Sequence, residues 1–336
     1  TVLSRGLGDV YKRQFKYNTK INNEISMFSV VFPGQGSQTV GMSNEFYSKF
    51  ELFKKIYKEA DDILGYSISK LILEGPVKEL NLTQNTQPAI FLVSYSIFRL
   101  INEEFNIDLN KAKFFTGHSL GEYSALCCAG LYNFETTLRL LKSRGLAMQN
   151  AVPEDKGGMV AILGSDINTI EQILDENKKE FECYIANDNS NFQIIISGLN
   201  GDLDKCVAVL NRLKIKNMRL PVSAPFHCKL MNAATETMKK IILNTEVNDL
   251  NNKIISNVTA SEVENKDLVP ELLISQINSK VRWRESIEYM INKDSTYFIE
   301  IGPGKVLSNL IKRINKTVKT LSINFEEDIK QININD

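Results

Sequence analysis

The pentapeptide Gly117-His118-Ser119-Leu120-Gly121 holds the residues of this chain best suited to covalent chemistry. The aromatic run Lys113-Phe114-Phe115-Thr116 before it reads as a short strand, and Glu122-Tyr123-Ser124-Ala125-Leu126-Cys127-Cys128-Ala129 after it reads as a helix. A serine on so sharp a strand-to-helix turn needs glycine two residues away on either side, because a side chain there would clash with the tightened backbone. Five such residues also occur in ordinary glycine-rich turns; the strand before and the helix after favour a nucleophile elbow. The turn exposes the Ser119 hydroxyl, and the helix start aims backbone N–H groups at negative charge developing beside it. This is equipment for attacking a carbonyl carbon. A serine hydroxyl is a weak nucleophile at neutral pH and needs a base, most often histidine. The chain has only two histidines. His118 leaves the backbone in a different direction from Ser119, so His227, in the turn Ala224-Pro225-Phe226-His227-Cys228, is the expected base. Cys228 is its neighbour in sequence and for that reason faces elsewhere. A third group should orient the imidazole, and neither composition nor spacing selects it.

The elements that must position these residues come from a chain of 336 residues, enough for one large or two modest domains, with an apolar fraction of 43% that indicates a globular protein. Lys plus Arg and Asp plus Glu both number 40, which argues against nucleic acid or an anionic membrane as a partner of the whole surface. The five cysteines are odd in number and lack C-x-x-C spacing, which fits unpaired thiols in a reducing, cytoplasmic setting. No apolar run approaches the roughly 18 to 20 residues that span a bilayer, so no membrane is expected.

Residues 1–26 are polar and aperiodic and are expected to lie outside the fold, as a disordered or artefactual extension: either a transit segment or a cloning or sequence-assembly scar ahead of a native start at Met27. Phe28-Ser29-Val30-Val31-Phe32 reads as a buried strand broken by Pro33-Gly34-Gln35-Gly36-Ser37-Gln38, with a long amphipathic helix over residues 42–64. That loop lacks the third glycine of a dinucleotide fingerprint, and a backbone N–H such as that of Gln35, brought beside the elbow, is the better reading. Gln87-Pro88 opens a helix reaching about residue 105, with proline in its first turn. Asn133 caps another to about residue 150, with Leu138, Leu141 and Met148 on its apolar face and Arg139, Lys142 and Arg144 elsewhere. Residues 157–222 then read β-α-β-β-α-β, a ferredoxin-like unit bounded by Pro153 and Pro221. A strand over 253–258, a helix from Trp283, a strand over 297–301 and a helix over 306–314 follow, and residues after about 325 look frayed. Gly302-Pro303-Gly304-Lys305 lacks P-loop spacing and reads as a structural turn.

Taken together, Phe32-Pro33-Gly34-Gln35-Gly36-Ser37-Gln38, Gly117-His118-Ser119-Leu120-Gly121-Glu122-Tyr123, Arg144-Gly145, Phe226-His227 and Glu300-Ile301-Gly302-Pro303-Gly304-Lys305-Val306-Leu307 resemble the malonyl-CoA:acyl carrier protein transacylases of bacterial-type fatty acid synthesis, in the same order from about residue 27 to 321. The resemblance implies an α/β-hydrolase-like large domain with a parallel sheet (residues 27–152 and 222–325), an inserted ferredoxin-like small domain (153–221) and a C-terminal tail (326–336). It implies Ser119 as the acylated nucleophile, His227 as base, and the N–H groups of Gln35 and Leu120 as the oxyanion hole. It also implies Arg144 as the partner of the malonyl carboxylate, through a fork geometry that lysine cannot reproduce. The third triad member implied is the backbone carbonyl of Gln276, and Asn187 matches a small-domain asparagine bordering the cleft. Leu120 and Phe226 look like the malonyl-selective versions of their positions.

The reaction so implied is ping-pong transfer of malonyl from malonyl-CoA, a substrate and not a cofactor, to the phosphopantetheine thiol of acyl carrier protein, with no metal and no cofactor. An acidic carrier protein calls for a basic docking face, for which Arg212, Lys214, Lys216 and Arg219, or Lys312, Arg313, Lys316 and Lys319, are candidates. Two other readings keep the same elbow. A thioesterase or other serine hydrolase would need no arginine for a free carboxylate and would usually add an Asp or Glu to the triad. A non-catalytic carrier-protein scaffold would have no use for Ser119, His227 and Arg144 together.

Overall fold

Phe28–Phe32 forms β1, buried along its whole length, as an interior strand of a parallel sheet must be. The computed structural model describes residues 27–153, 155–222 and 224–334, so the extension expected over 1–26 lies outside the described residues. β1 pairs in parallel with the elbow strand β2 (Phe115–Gly117) on one side and with β7 (Tyr297–Ile301) on the other, and β7 pairs in parallel with β8 (Lys319–Ile323). The sheet order is therefore β2-β1-β7-β8. Parallel order brings the C-terminal ends of β1, β2 and β7 to one edge, where the loops after them meet. Glu300 in β7 fastens the helix Val306–Ile314 at that edge, its carboxylate accepting the N–H groups of Leu307 at 3.0 Å and Ser308 at 2.8 Å.

The second sheet is antiparallel: β3 (Gly157–Leu163), β4 (Cys183–Ser190), β5 (Gln193–Leu199) and β6 (Lys216–Arg219), in the order β4-β5-β3-β6, with helices Ile167–Glu176 and Asn200–Arg212 in the connections. Val160, Ile162, Ile170, Ile194, Ile196, Leu203 and Leu210 form its own core. Its edge strand β4 meets the rest of the chain through backbone hydrogen bonds Val281 N–H to Ala186 O and Asp188 N–H to Val281 O, and through the Asp188–Arg284 ion pair at 2.8 Å.

Four elements differ from the sequence expectation. The helix expected to open at Gln87 begins at Thr83 and runs to Glu103, so Pro88 sits inside it and not in its first turn. Side chains hold the preceding turn, Asn85 Nδ2 donating to Glu79 O and Thr86 Oγ1 to Leu80 O. The stretch 42–64 is two helices, Asn44–Lys49 and Glu51–Leu64, parted by extended Phe50. Residues 253–258 make only isolated bridges, Phe115 with Ile254 and Ile255 with Glu262, because the chain turns away at Asn257 to serve the elbow. Beyond Phe325 the chain is not frayed: Glu326–Ile329 is a helical turn with Ile329 buried.

Candidate active site

Ser119 joins β2 to the helix Leu120–Cys128 at φ 55° and ψ −109°, a region L-residues rarely occupy. The glycines let the backbone close on itself there. A Cβ on Gly117 would lie 2.0 Å from the Gly121 carbonyl carbon, and one on Gly121 would lie 2.2 Å from Phe32 O. Asn257 clamps the strained turn from outside, its Oδ1 accepting the Ser119 N–H at 2.8 Å and its Nδ2 donating to Gly117 O at 2.8 Å. The Ser119 N–H is used in that way, and the next N–H, that of Leu120, stands at the first position of the helix, where no intrahelical acceptor exists. The Gln35 loop lies against the same turn, since a Cβ on Gly34 would come within 2.6 Å of His118 O.

Ser119 Oγ is 2.8 Å from His227 Nε2, and His227 Nδ1 is 2.9 Å from the backbone carbonyl of Gln276. A carbonyl can only accept, so Nδ1 carries the proton and Nε2 presents its lone pair to the serine hydroxyl. Burial, with the Arg144 charge adding to it, pushes the His227 pKa down to about 3. The imidazole is therefore neutral at physiological pH and ready to take the Ser119 proton. His118 faces away, its Nε2 donating to Asn189 Oδ1 at 2.8 Å. Cys228 is likewise turned off, its thiol donating to Pro225 O at 3.1 Å. His227 itself takes φ 57°, and Ser197 Oγ holds the Phe226 carbonyl ahead of it at 2.6 Å.

Arg144, which lies on the helix Phe134–Asn150, is 0% exposed. Its Nη1 donates to Gln87 Oε1 at 2.8 Å, and its Nη2 donates to Gln276 Oε1 at 2.8 Å and to Ser119 Oγ at 3.1 Å. Among the described residues these hydrogen-bond partners are all neutral, and the buried Nε has none. The guanidinium carbon also stands 5.4 Å from the centre of the Tyr123 ring. Gln276 thus serves two neighbours, its main chain reaching His227 and its side chain Arg144. Its Nε2 donates to Ser119 O at 3.1 Å and to Glu122 Oε2 at 2.6 Å. Burial pushes the Glu122 carboxyl up to about 7, against the lowering effect of the hydrogen bonds from Gln276 and Asn257.

Ser119, His227, Arg144 and both the main chain and the side chain of Gln276 therefore converge at one point. Asn187 lies buried in β4, bridged to Val281, and the asparagine of that strand bonded to the elbow is Asn189. His227 also lines a cavity of about 590 Å³, walled further by Tyr184, Cys228, Lys229, Asn278 and Lys280. Among the described residues no group of His, Cys, Asp and Glu could hold a metal ion, and no helix is long and apolar enough to cross a membrane.

Residues 29–334 match the acyl transferase domain family. The chain belongs to that family. It is 39% identical over 308 residues to the malonyl CoA-acyl carrier protein transacylase of Bacillus subtilis (strain 168), covering 91% of this chain and 96% of that one, and 36% identical to the transacylase of Escherichia coli (strain K12) over 89% of this chain and 96% of that one. Among solved structures, the acyl-carrier-protein-S-malonyltransferase of Bartonella henselae superposes with a TM-score of 0.87 at 40% identity, over 90% of this chain and 97% of that one. A malonyl-transacylase solved in complex with its type II PKS acyl-carrier protein superposes with a TM-score of 0.87 at 34% identity, over 91% and 98% of the two chains.

Within this acyl transferase, three residues that hold the site escaped sequence reading. Gln87 was visible only as a residue before a proline, Asn257 as the last polar residue of an expected strand, and Glu122 only as part of the elbow motif, with no role of its own. A buried amide beside a buried arginine leaves no periodicity to detect. The one available signal was the tight run of polar residues at 84–87 in an otherwise apolar helix.

Proposed function

We propose that this protein transfers the malonyl group of malonyl-CoA to the phosphopantetheine thiol of acyl carrier protein, through a malonyl ester on Ser119, as an [acyl-carrier-protein] S-malonyltransferase supplying fatty acid elongation. Ser119 Oγ attacks the thioester carbonyl as its proton passes to His227 Nε2. The tetrahedral oxyanion is met by the N–H groups of Leu120 and Gln35. The C–S bond then breaks, and the His227 proton leaves with the coenzyme A thiol. In the second half the carrier thiol gives its proton to His227 and attacks the ester carbonyl, and the serine oxygen takes the proton back. Arg144 receives the free carboxylate of the malonyl group in both halves, and the cavity beside His227 admits the thiol-tipped arm. The parallel-sheet part is α/β-hydrolase-like, the antiparallel unit within 153–221 is a ferredoxin-like small domain, and the enzyme works in the cytoplasm without metal or cofactor.

The observation that supports this reading most is the fully buried guanidinium of Arg144, hydrogen-bonded only to neutral groups and 3.1 Å from the attacking oxygen, with Glu122 acting on it only through space. A buried cation without an acid in contact is costly, and a substrate carboxylate relieves that cost. A hydrolase of neutral acyl chains would have no use for it. Intact-protein mass after incubation with malonyl-CoA is the test: a malonyl adduct absent in Ser119→Ala and discharged by added carrier protein is expected. Free malonate with no adduct and no loaded carrier protein would turn the reading to hydrolysis.

A further inference from the structure

Resting on the malonyl-transfer reading, we propose that Glu122 is a positioning residue for carboxylate recognition: it fixes which end of the Gln276 side chain faces Arg144, and through that amide it sets the preference for malonyl over a neutral acyl group.

A glutamine amide can be turned end for end at little cost unless its surroundings tell the two ends apart. Here they do. Ser119 O can only accept, and Glu122 Oε2 already accepts the Asn257 N–H, so a proton on that carboxyl sits on Oε1; the NH2 end of Gln276, 2.6 Å from Oε2 and 3.1 Å from Ser119 O, must lie between these two acceptors. The carbonyl end is then left to Arg144 Nη2, which approaches within 2.8 Å. Reversing the amide would aim an NH2 group at a guanidinium and a carbonyl at a carboxyl group. Glu122 is itself fixed, because the same Oε2 accepts the N–H of Asn257 at 3.1 Å, and Asn257 is the residue that clamps the elbow. The chain of contact runs from Glu122 through Gln276 Oε1 to Arg144 Nη2, and the same Nη2 reaches Ser119 Oγ at 3.1 Å. By contrast, the link from Gln276 to His227 uses the main chain and does not depend on how the amide is turned. Loss of the Glu122 acceptor therefore acts on the arginine and leaves the base in place. Glu122 touches neither Ser119 Oγ nor His227 in this network; its charge also acts on Arg144 through space, and Glu122→Gln separates that from the contact through Gln276, because it removes the charge and keeps the acceptor.

The test is the ratio of malonyl to acetyl loading rates from the two CoA thioesters, read by intact mass on the full chain, because a ratio is independent of how much of a variant is folded. Glu122→Leu, which removes both oxygens, is expected to lower the ratio roughly 10- to 100-fold, the worth of one hydrogen bond to a charged group. Glu122→Asp, which withdraws the acceptor by one methylene, lowers it in the same direction and serves if Glu122→Leu yields no folded protein. Glu122→Gln, whose carbonyl oxygen can take the Oε2 position, restores it to within about threefold of wild type. In an Arg144→Ala background Glu122→Leu leaves the ratio where Arg144→Ala alone puts it, as two residues acting through one contact require. A ratio unchanged in Glu122→Leu and Glu122→Asp overturns the proposal, and so does an equal fall with Arg144 absent. Failure of the underlying malonyl reading looks different: the wild type then forms no malonyl adduct, while a fluorophosphonate still labels Ser119.

Discussion

In the mechanism proposed above, the part of the site that attacks and the part that receives a carboxylate meet at Ser119 Oγ, 2.8 Å from His227 and 3.1 Å from Arg144, yet different kinds of group hold them. The attacking part leans on main chain: a carbonyl of Gln276 orients His227, and glycines permit the turn. The recognising part is made of side chains from separate helices, Gln87, Arg144 and Gln276, with Glu122 behind them. Main-chain groups survive substitution, whereas a side-chain network changes with every residue in it. Attack and selectivity should therefore be separable by mutation even though their atoms are neighbours.

The largest effect is expected where the two parts join. Ser119→Ala should abolish acyl loading from any thioester, a loss of at least about 10⁴-fold for removing a nucleophile, read as the missing adduct mass. Arg144→Ala should lower the malonyl-to-acetyl loading ratio on the order of 10² to 10³-fold, the scale of breaking a buried charge pair. An equal loss for both acyl groups would place Arg144 in the attacking part and dissolve the distinction. Asn257→Ala sharpens the contrast from the other side. It removes two bonds from the elbow, those to the Ser119 N–H and to Gly117 O, so loading should fall about 10-fold or more for both acyl groups with little change in their ratio.

The same division decides what could be read from the sequence. The elbow lies within nine residues of chain and announces itself through glycine spacing, and the alternation of strands and helices that places it is a matter of short-range periodicity. The capping of the arginine helix by Asn133, whose Oδ1 accepts the Thr136 N–H at 2.8 Å, was equally legible. Arg144 was not, because a charge on a helix reads as solvated until the elements around it are known. Pro88 misled the placement of its helix, since proline favours a first turn, and Gln87 was thereby left outside the site. The carbonyl that orients His227 carries no sequence signature, because every residue has one; only the resemblance to a family pointed to Gln276. The edge of the site at 253–258 read as a strand because Ile254 and Ile255 are β-branched, while Asn257, which breaks the pairing, is 138 positions away in sequence from the residue it serves.

The smallest effect tests the electrostatics of the two parts against each other. Burial moves His227, in the attacking part, from 6.5 to about 3, and Glu122, behind the recognising part, from 4.5 to about 7. The depressed histidine contributes stability that is complete above pH 6.5 and is lost as pH falls toward 3; the raised carboxyl contributes stability present below pH 4.5 and lost as pH rises through 7. Between pH 4.5 and 6.5 the unfolded chain protonates His227 and not Glu122, and the folded chain does the reverse. Each group alone then changes the unfolding free energy by about 1.4 kcal/mol per pH unit, with opposite sign, and in the wild type the two slopes cancel. Glu122→Gln leaves the histidine slope uncompensated. Its stability relative to wild type, from urea unfolding across that window, should rise by about 1.4 kcal/mol for each unit of increasing pH. A difference that stays constant with pH would mean that Glu122 does not take up a proton on folding, and that the polar groups around it compensate its burial fully.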